Sequence, residues 1–262
     1  MNIRDFSINP NSGISADKQG KYLGVVESGT KTANGATSGL DYLKQLGVSH
    51  VQIMPMYDYG SVDETGDLSY NAQGAQNWGY DPENYNVPEG SYSSDPSDPA
   101  SRVTEMKQMV KGLHGNDIRV IMDVVYNHVY DAANHSFNKT VPGYYFRYDD
   151  NGSLVNNSGC GNDTASERKM MRKYIVDSVT YWAKNYNVDG FRFDLMGLID
   201  TETMKEVRAA LDEIDPSIII LGEGWDMNTT MDEGEMTIQP KRVPSRVRRH
   251  EQRHRVLQRF RA

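Results

Sequence analysis

The sequence has a single cysteine, Cys160, among its 262 residues, so no disulfide bond can form within the chain. A lone cysteine is typical of proteins in a reducing compartment, and we therefore expect a cytoplasmic protein. No run of eighteen apolar residues is present, so we predict neither a membrane-spanning helix nor a membrane partner. The first residues also lack the basic region and apolar run that make a signal peptide.

Several common ligand-binding motifs are missing as well. No Gly-x-Gly-x-x-Gly follows the first predicted strand and no Gly-Lys-Ser/Thr is present, which disfavours a nucleotide-binding sheet. There is no Asp-x-Asp-x-Asp-Gly calcium loop, although Asn127 would offer one loop oxygen as a ligand. We therefore predict no cofactor and no metal ion.

Negative charge dominates most of the chain but gives way to positive charge at its end. The net charge is −8, yet residues 239–262 contain nine of the 28 basic residues and one of the 36 acidic ones. A basic segment can contact nucleic acid. The abrupt change after an acidic region instead favours out-of-frame translation. We therefore assign residues 231–262 to a non-native or disordered tail and predict no nucleic-acid partner.

Strand and helix patterns alternate along residues 1–230, which we assign to one partial catalytic domain. Strands are predicted near residues 2–8, 48–54, 118–125, 188–194 and 218–222. Helices are predicted over residues 37–46, 98–114, 166–186 and 200–214. This alternation predicts parallel strands joined by crossover helices, in a barrel or an open sheet. The long polar stretches at 55–98 and 129–165 are predicted to be functional loops.

Chemically active residues follow the ends of the last two predicted strands. Arg192 and Asp194 lie two apart in Val188–Asp194, so they project from one side of the strand. A structural ion pair at a strand end is an equally good interpretation of this stretch alone. Glu223 follows the next strand, and neighbouring strands lie about 4.8 Å apart. Two carboxylates at that spacing fit the separation of about 5–5.5 Å in a retaining glycosidase, but many barrels carry such a pair.

The surroundings of the two carboxylates predict different tasks for them. Arg192 would keep Asp194 ionised, as a nucleophile must be. Glu223 lies between glycines with Trp225 nearby, and a poorly solvated setting there would favour the protonated form of a general acid.

Other candidate residues for binding a sugar lie at earlier strand ends and in the first long loop. His128 could hydrogen-bond a sugar hydroxyl, or could be a satisfied strand-end histidine. Asp123 could accept from a hydroxyl, or could be a buried ion-pair partner. Trp78 and Tyr80 offer flat faces to pyranose rings, or could pack as a local core of the loop.

Three segments in order resemble motifs of the α-amylase superfamily, glycoside hydrolase family 13. They are Asp123-Val-Val-Tyr-Asn-His128, Gly190-Phe-Arg-Phe-Asp194 and Gly222-Glu-Gly-Trp-Asp226. Three further segments are similar to the debranching group within this family. They are Asn77-Trp-Gly-Tyr-Asp-Pro82, Gly-Ser-Val-Asp at residues 60–63 and Gly-Cys-Gly-Asn at residues 159–162. The resemblance covers about residues 2–230 and implies a (β/α)8 barrel with about its first five β/α units present.

The resemblance also implies an activity and roles for residues. It implies a retaining hydrolase that cleaves α-1,6-glucosidic branch linkages in pullulan, starch or glycogen. Asp194 would be the nucleophile, Glu223 the acid/base and Arg192 the residue that orients Asp194. His128 and Asp123 would hold the sugar, and Tyr80 would stack beneath it.

The sequence departs from the family pattern in one respect that bears on activity. The family's fourth motif, which ends in His-Asp and supplies a third carboxylate, is not found. We therefore expect low activity from the chain itself. The alternatives are an inactive fragment that retains glucan binding, and an enzyme that acts on α-1,4 linkages.

Overall fold

A computed structural model describes residues 1–227, 229, 231 and 235–238. Residues 239–262, which form most of the predicted tail, lie outside the described residues. The chain divides into two compact units. The first unit comprises residues 1–123 and 184–189, and the second comprises residues 124–183 and 190–262.

The first unit opens with three helices: α1 (Ile3–Ser7), α2 (Tyr22–Val25) and α3 (Gly39–Leu46). The prediction of a strand over residues 2–8 is therefore wrong. The side chain of Asn2 accepts a hydrogen bond from the backbone N–H of Asp5 at 3.1 Å and so caps the first turn. Ile3 and Ser7, four residues apart, are then both buried on one face of α1.

Three strands follow: β1 (His50–Ile53), β2 (Tyr57–Tyr59) and β3 (Pro82–Pro88). Strands β2 and β3 pair in antiparallel fashion and enclose the middle of the first predicted long loop. The buried rings of Tyr57 and Tyr85 lie 5.5 Å apart between their centroids and pack the two strands together. The loop is thus anchored at both ends by a small sheet that the sequence did not reveal.

The first unit continues with α4 (Pro99–His114) and β4 (Arg119–Val124). Asp98 caps α4 by accepting from the N–H of Ala100 at 3.0 Å, and Pro99 occupies the first helical position, as predicted. Buried positions recur along one face of the helix: Met106, Met109, Val110 and Leu113. Strand β4 pairs in parallel with β1, and its register sets Met122 opposite Ile53.

The second unit contains the remaining elements in chain order. They are β5 (His128–Val129), α5 (Ser136–Thr140), β6 (Asn162–Asp163), α6 (Lys169–Tyr186), β7 (Gly190–Phe193), α7 (Thr201–Asp212) and β8 (Ile219–Gly222). Strands β5 and β6 form a short antiparallel pair within the second predicted loop. The predicted long helices and strands are otherwise confirmed to within a few residues.

Four strands form one parallel sheet in the order β1, β4, β7, β8. Strands β7 and β8 are paired so that Phe193 lies opposite Gly222. The sheet therefore has four strands in the described residues, one fewer than predicted, because residues 2–8 are helical. Within the described part of the chain, no helix combines the length and apolarity needed to cross a membrane.

A buried arginine ties together the irregular segments of the second unit. The guanidinium of Arg147 pairs with Glu167 at 2.8 Å and lies 3.9 Å from the buried carboxylate of Asp163. It also donates to the carbonyl of Leu198 at 2.9 Å and to Thr229 Oγ1 at 3.4 Å. One side chain thus holds the loop before α6, the turn after β7 and the segment after β8.

Candidate active site

The carboxyl ends of β7 and β8 present two acidic side chains in the second unit. Asp194 follows β7 and Glu223 follows β8. The parallel register continues past the strands, because the N–H of Glu223 donates to the carbonyl of Phe193 at 3.3 Å. The two residues therefore lie at adjacent strand ends, which parallel pairing places about 4.8 Å apart.

Arg192 connects the two carboxylates. Its Nη1 lies 2.9 Å from Asp194 Oδ1, and its Nη2 forms an ion pair with Glu223 Oε1. Phe191 and Phe193 are fully buried, while Arg192 is partly accessible, so the predicted alternation along the strand is confirmed. A single guanidinium that touches both acids fixes their relative positions and offsets their mutual repulsion.

The setting of Glu223 differs from the expected poorly solvated one. A quarter of its side chain is exposed, and it is paired with Arg192. Its Oε2 also accepts the backbone N–H of Leu195 at 3.1 Å. Leu195 adopts a left-handed conformation, with φ 38° and ψ 49°, directly after Asp194. No sequence pattern indicates a left-handed conformation at this leucine, or its N–H as a partner of Glu223.

Asn127 contacts the second carboxylate oxygen of Asp194, the candidate nucleophile. Its Nδ2 donates to Asp194 Oδ2 at 3.0 Å and to the Asp194 carbonyl at 2.7 Å. Its Oδ1 lies 2.5 Å from His128 Nδ1. Asn127 and His128 are both buried. The structure therefore links His128, Asn127, Asp194, Arg192 and Glu223 in one hydrogen-bonded series.

Trp225 lies beyond Glu223, with 56% of its side chain exposed. Its backbone oxygen comes so close to Gly197 that a Cβ atom there would lie 1.9 Å from it. Only a glycine allows this approach, which fixes the chain between Glu223 and Trp225. The backbone of Trp225 is thus packed against Gly197, while its indole is exposed to solvent.

The first unit contains three further predicted residues, of which Asp123 and Tyr80 are in contact. Asp123 is buried and accepts a hydrogen bond from the Tyr80 hydroxyl at 2.9 Å. Gln52 Nε2 also donates to Asp123, at 3.4 Å. Asp123 is thus hydrogen-bonded to two side chains of its own unit, Tyr80 and Gln52.

The loop around Trp78 is folded by local hydrogen bonds. Asn77 accepts from the N–H of Gly79 at 2.8 Å and donates to Asp81 Oδ1 at 3.0 Å. Gly79 has φ +87°, and a Cβ atom there would lie 2.9 Å from the Pro55 carbonyl. Trp78 is 62% exposed, so the alternative that it packs as a local core is wrong.

A cluster of acids in the first unit was not predicted from the sequence. Carboxylate oxygens of Asp58, Glu64 and Glu89 lie within 4.8 Å of one another. Such a group can hold a divalent cation. Arg102 already lies against it, 2.5 Å from Glu64 and 3.8 Å from Asp58. This guanidinium supplies positive charge to the cluster.

Burial of this acidic cluster makes the stability of the fold depend on pH. Loss of solvent raises the pKa of Glu89 from 4.5 to about 7 and that of Asp58 to about 6. The folded chain therefore holds protons that the unfolded chain releases at lower pH. The stabilisation is fully present below about pH 4 and is lost as the pH rises through 6 to 7.

We expect the free energy of unfolding to fall by an amount on the order of 3 kcal/mol from this source between pH 4.5 and 8, mostly through fully buried Glu89. Urea unfolding at several pH values measures this dependence of the free energy of unfolding on pH. Glu89→Gln should flatten the dependence, whereas Asp67→Asn, at an exposed acid, should not. Equal slopes for Glu89→Gln and the unsubstituted chain would contradict this expectation.

This chain is similar in sequence to known proteins of one family. A model of the α-amylase catalytic domain matches residues 25–157, about half of the chain. The pullulanase of Bacillus subtilis (strain 168) is 51% identical over 229 residues, a match that covers 87% of this chain and 31% of that protein. The chain thus spans about a third of the length of this relative.

Solved structures agree with the sequence matches. Pullulanase from Anoxybacillus sp. LM18-11, complexed with maltotetraose, has a TM-score of 0.86 and 54% identity, and the match covers 91% of this chain and 34% of that one. Pullulanase from Paenibacillus barengoltzii, in complex with maltohexaose and α-cyclodextrin, has a TM-score of 0.86 and 52% identity, over 91% and 36% of the chains.

These matches confirm the predicted fold class, a (β/α)8 barrel, of which the described residues hold part as a four-stranded parallel sheet. The motifs at the strand ends, the parallel sheet and the matches to both sequences and structures agree with one another. This chain belongs to the α-amylase catalytic-domain family.

Proposed function

We propose that this chain carries the catalytic chemistry of a retaining glycoside hydrolase that cleaves α-1,6-glucosidic branch linkages in pullulan, starch or glycogen. The observation that carries the proposal is the bridge from Arg192 to Asp194 and Glu223 at adjacent strand ends. A retaining mechanism needs two carboxylates about 5–5.5 Å apart, and adjacent strand ends supply that spacing.

The reaction has two displacements. In the first, a carboxylate oxygen of Asp194 forms a bond to the anomeric carbon, and the bond to the glycosidic oxygen breaks. Glu223 gives that oxygen its proton. In the second, Glu223 takes a proton from water as the water oxygen attacks the anomeric carbon and releases Asp194. Two inversions restore the original configuration.

Arg192 has a different task at each carboxylate. Its contact with Asp194 Oδ1 holds one carboxylate oxygen of the nucleophile in place before attack. Its ion pair with Glu223 holds the acid/base at the adjacent strand end, beside the nucleophile. Asp194 loses its charge when it becomes an ester, and the guanidinium of Arg192 can then form an ion pair with Glu223 alone.

Two further residues of the second unit are assigned to sugar binding. His128, held by Asn127, is assigned a hydrogen bond to a sugar hydroxyl. Trp225 is assigned stacking against the apolar face of a pyranose ring, which its exposure permits.

In the first unit, Asp123 and Tyr80 are assigned to hold and stack against a sugar. Their hydrogen bond orients both groups before a ligand arrives. Exposed Trp78 offers a second flat face for a glucan chain. Two of the solved structures that resemble this chain bear the name pullulanase and hold malto-oligosaccharides, which supports an α-glucan as the partner.

The linkage is tested by comparing pullulan with linear amylose as substrate. Pullulan consists of maltotriose units joined by α-1,6 linkages, so we expect maltotriose to accumulate from pullulan and amylose to remain intact. Shortening of amylose at the same rate would instead favour an α-1,4-acting enzyme. Binding of maltotetraose without product from either polymer would favour a binding fragment, and Asp194→Asn provides the background.

We also propose the cytoplasm as the location and residues 1–230 as the catalytic part, with residues 231–262 as the tail. The single cysteine, Cys160, supports a reducing compartment. Cell fractionation tests the location. Limited proteolysis tests the division, since cleavage confined to the tail is expected.

A further inference from the structure

We propose that Asn127 is a positioning residue for the reaction: its side-chain amide fixes the carboxylate of Asp194 on one side and orients His128 on the other. This inference rests on the proposed function, because it gives Asn127 a part in the same displacement. From the sequence alone, Asn127 suggests only an oxygen ligand for a cation.

The hydrogen-bond partners determine how the amide is turned. A carboxylate and a backbone carbonyl can only accept, so the NH2 group must face Asp194, at 3.0 Å from Oδ2 and 2.7 Å from the carbonyl. The amide oxygen then faces His128 Nδ1 at 2.5 Å. Since Asn127 is fully buried, water does not compete for these groups.

For Asp194, the consequence is a carboxylate held at both oxygens. Arg192 takes Oδ1 at 2.9 Å and Asn127 takes Oδ2 at 3.0 Å. Rotation of the carboxylate about its Cβ–Cγ bond would break at least one of these contacts. Each oxygen keeps a further lone pair, so the group remains able to attack while its direction is fixed.

For His128, the consequence is a defined tautomer. The Asn127 oxygen accepts, so His128 Nδ1 must carry a hydrogen. Nε2 of the neutral ring is then an acceptor and suits the hydroxyl hydrogen of a sugar. One amide thus prepares both the attacking group and a hydrogen-bonding group of the substrate site.

The test uses a mechanism-based trap, a 5-fluoro-α-maltosyl fluoride, with the whole 262-residue chain. Asp194 forms a bond to the anomeric carbon, the carbon–fluorine bond breaks and fluoride leaves, so no proton donor is required. Two variants separate the roles. Asn127→Leu removes all three hydrogen bonds of the side chain, whereas Asn127→Asp keeps an oxygen for His128 but places a carboxyl group against Asp194.

A matched control is Asn157→Leu, also in the second unit. Asn157 Nδ2 donates to the carboxylate of Asp163 at 2.8 Å, so this change removes an equivalent bond at a different aspartate. Melting temperatures identify any variant that fails to fold. Asn127→Asp preserves size and keeps the test valid if Asn127→Leu does not fold.

We expect Asn127→Leu to lower the labelling rate constant at saturating trap about tenfold to hundredfold, the effect of one hydrogen bond to a charged group. The concentration for half-maximal labelling should change less than about threefold, and Asn157→Leu should label at the unsubstituted rate. Asn127→Asp should lose more at pH 8 than at pH 5, because protonation of the introduced carboxyl restores a donor.

A spectroscopic measurement reports on His128 independently. Long-range proton–nitrogen spectra of the imidazole should show Nδ1 protonated in the unsubstituted chain and in Asn127→Asp, and a mixture of tautomers in Asn127→Leu. Equal labelling by all three chains, or an unchanged tautomer in Asn127→Leu, would overturn the role of Asn127 and leave the proposed function standing. No labelling of the unsubstituted chain would overturn the proposed function and, with it, this inference.

Discussion

Asp194→Asn is expected to abolish release of maltotriose from pullulan, with a loss of about 10⁴-fold or more relative to the unsubstituted chain. An amide has no negative charge to attack the anomeric carbon. The substitution keeps the size of the side chain, so the melting temperature should remain close to that of the unsubstituted chain. Reducing-sugar assays and calorimetric binding of maltotetraose, measured together, separate lost chemistry from lost binding.

Glu223→Gln should behave differently under the same conditions. Turnover of pullulan should fall strongly because the leaving oxygen receives no proton, but α-maltosyl fluoride should still react, since fluoride leaves unaided. Azide should then restore turnover and give an α-glycosyl azide, because it needs no base. Rescue of Asp194→Asn instead of Glu223→Gln would reverse the two assignments.

Arg147→Met is expected to lower the free energy of unfolding by about 3 to 5 kcal/mol. The methionine fills much of the volume of the arginine stem but leaves the fully buried carboxylate of Asp163 without its cation. It also removes the bonds to Leu198 and Thr229, which connect the turn after β7 with the segment after Glu223. Urea unfolding followed by far-ultraviolet circular dichroism measures the loss.

Lys173→Met serves as the control for Arg147→Met. Lys173 pairs with Asp177 one turn along α6, and both side chains are mostly exposed. Exposed pairs of this type contribute about 0.5 kcal/mol or less. A similar small loss in Arg147→Met would mean that Arg147 does not hold the second unit together.

The sequence predicted the architecture well where apolar runs are long. Residues 119–124, 190–193 and 219–222 are strands, as predicted, because each is short, largely apolar and follows a predicted helix. The acidic residues that follow β7 and β8 were placed correctly for the same reason. Alternation within β7 was enough to set Arg192 and Asp194 on one side.

Local hydrogen bonds explain where the sequence failed. The prediction of a strand over residues 2–8 failed because the cap by Asn2 and the burial of Ile3 and Ser7 favour a helix. The left-handed backbone of Leu195 follows from tertiary packing and carries no residue signal, because leucine is not a residue that favours it.

The sequence also does not reveal which residues of the candidate site are hydrogen-bonded to one another. Asn127 is adjacent to His128 in sequence, so its contact there is local, but Asp194 is 67 residues away. Glu223 was expected in a poorly solvated setting because glycines flank it. Its neighbours in the fold are Arg192 and the Leu195 N–H instead. Contacts between distant segments decide such details, and residue types alone do not reveal them.

The central claim is that Asp194 is the nucleophile of a retaining glycosidase. Its most direct test is peptide mapping by mass spectrometry after the 262-residue chain has reacted with a 5-fluoro-α-maltosyl fluoride. We predict a single modified residue, Asp194, and protection by maltotetraose. Modification at another carboxylate, or none at all in a chain that melts cooperatively, would contradict it.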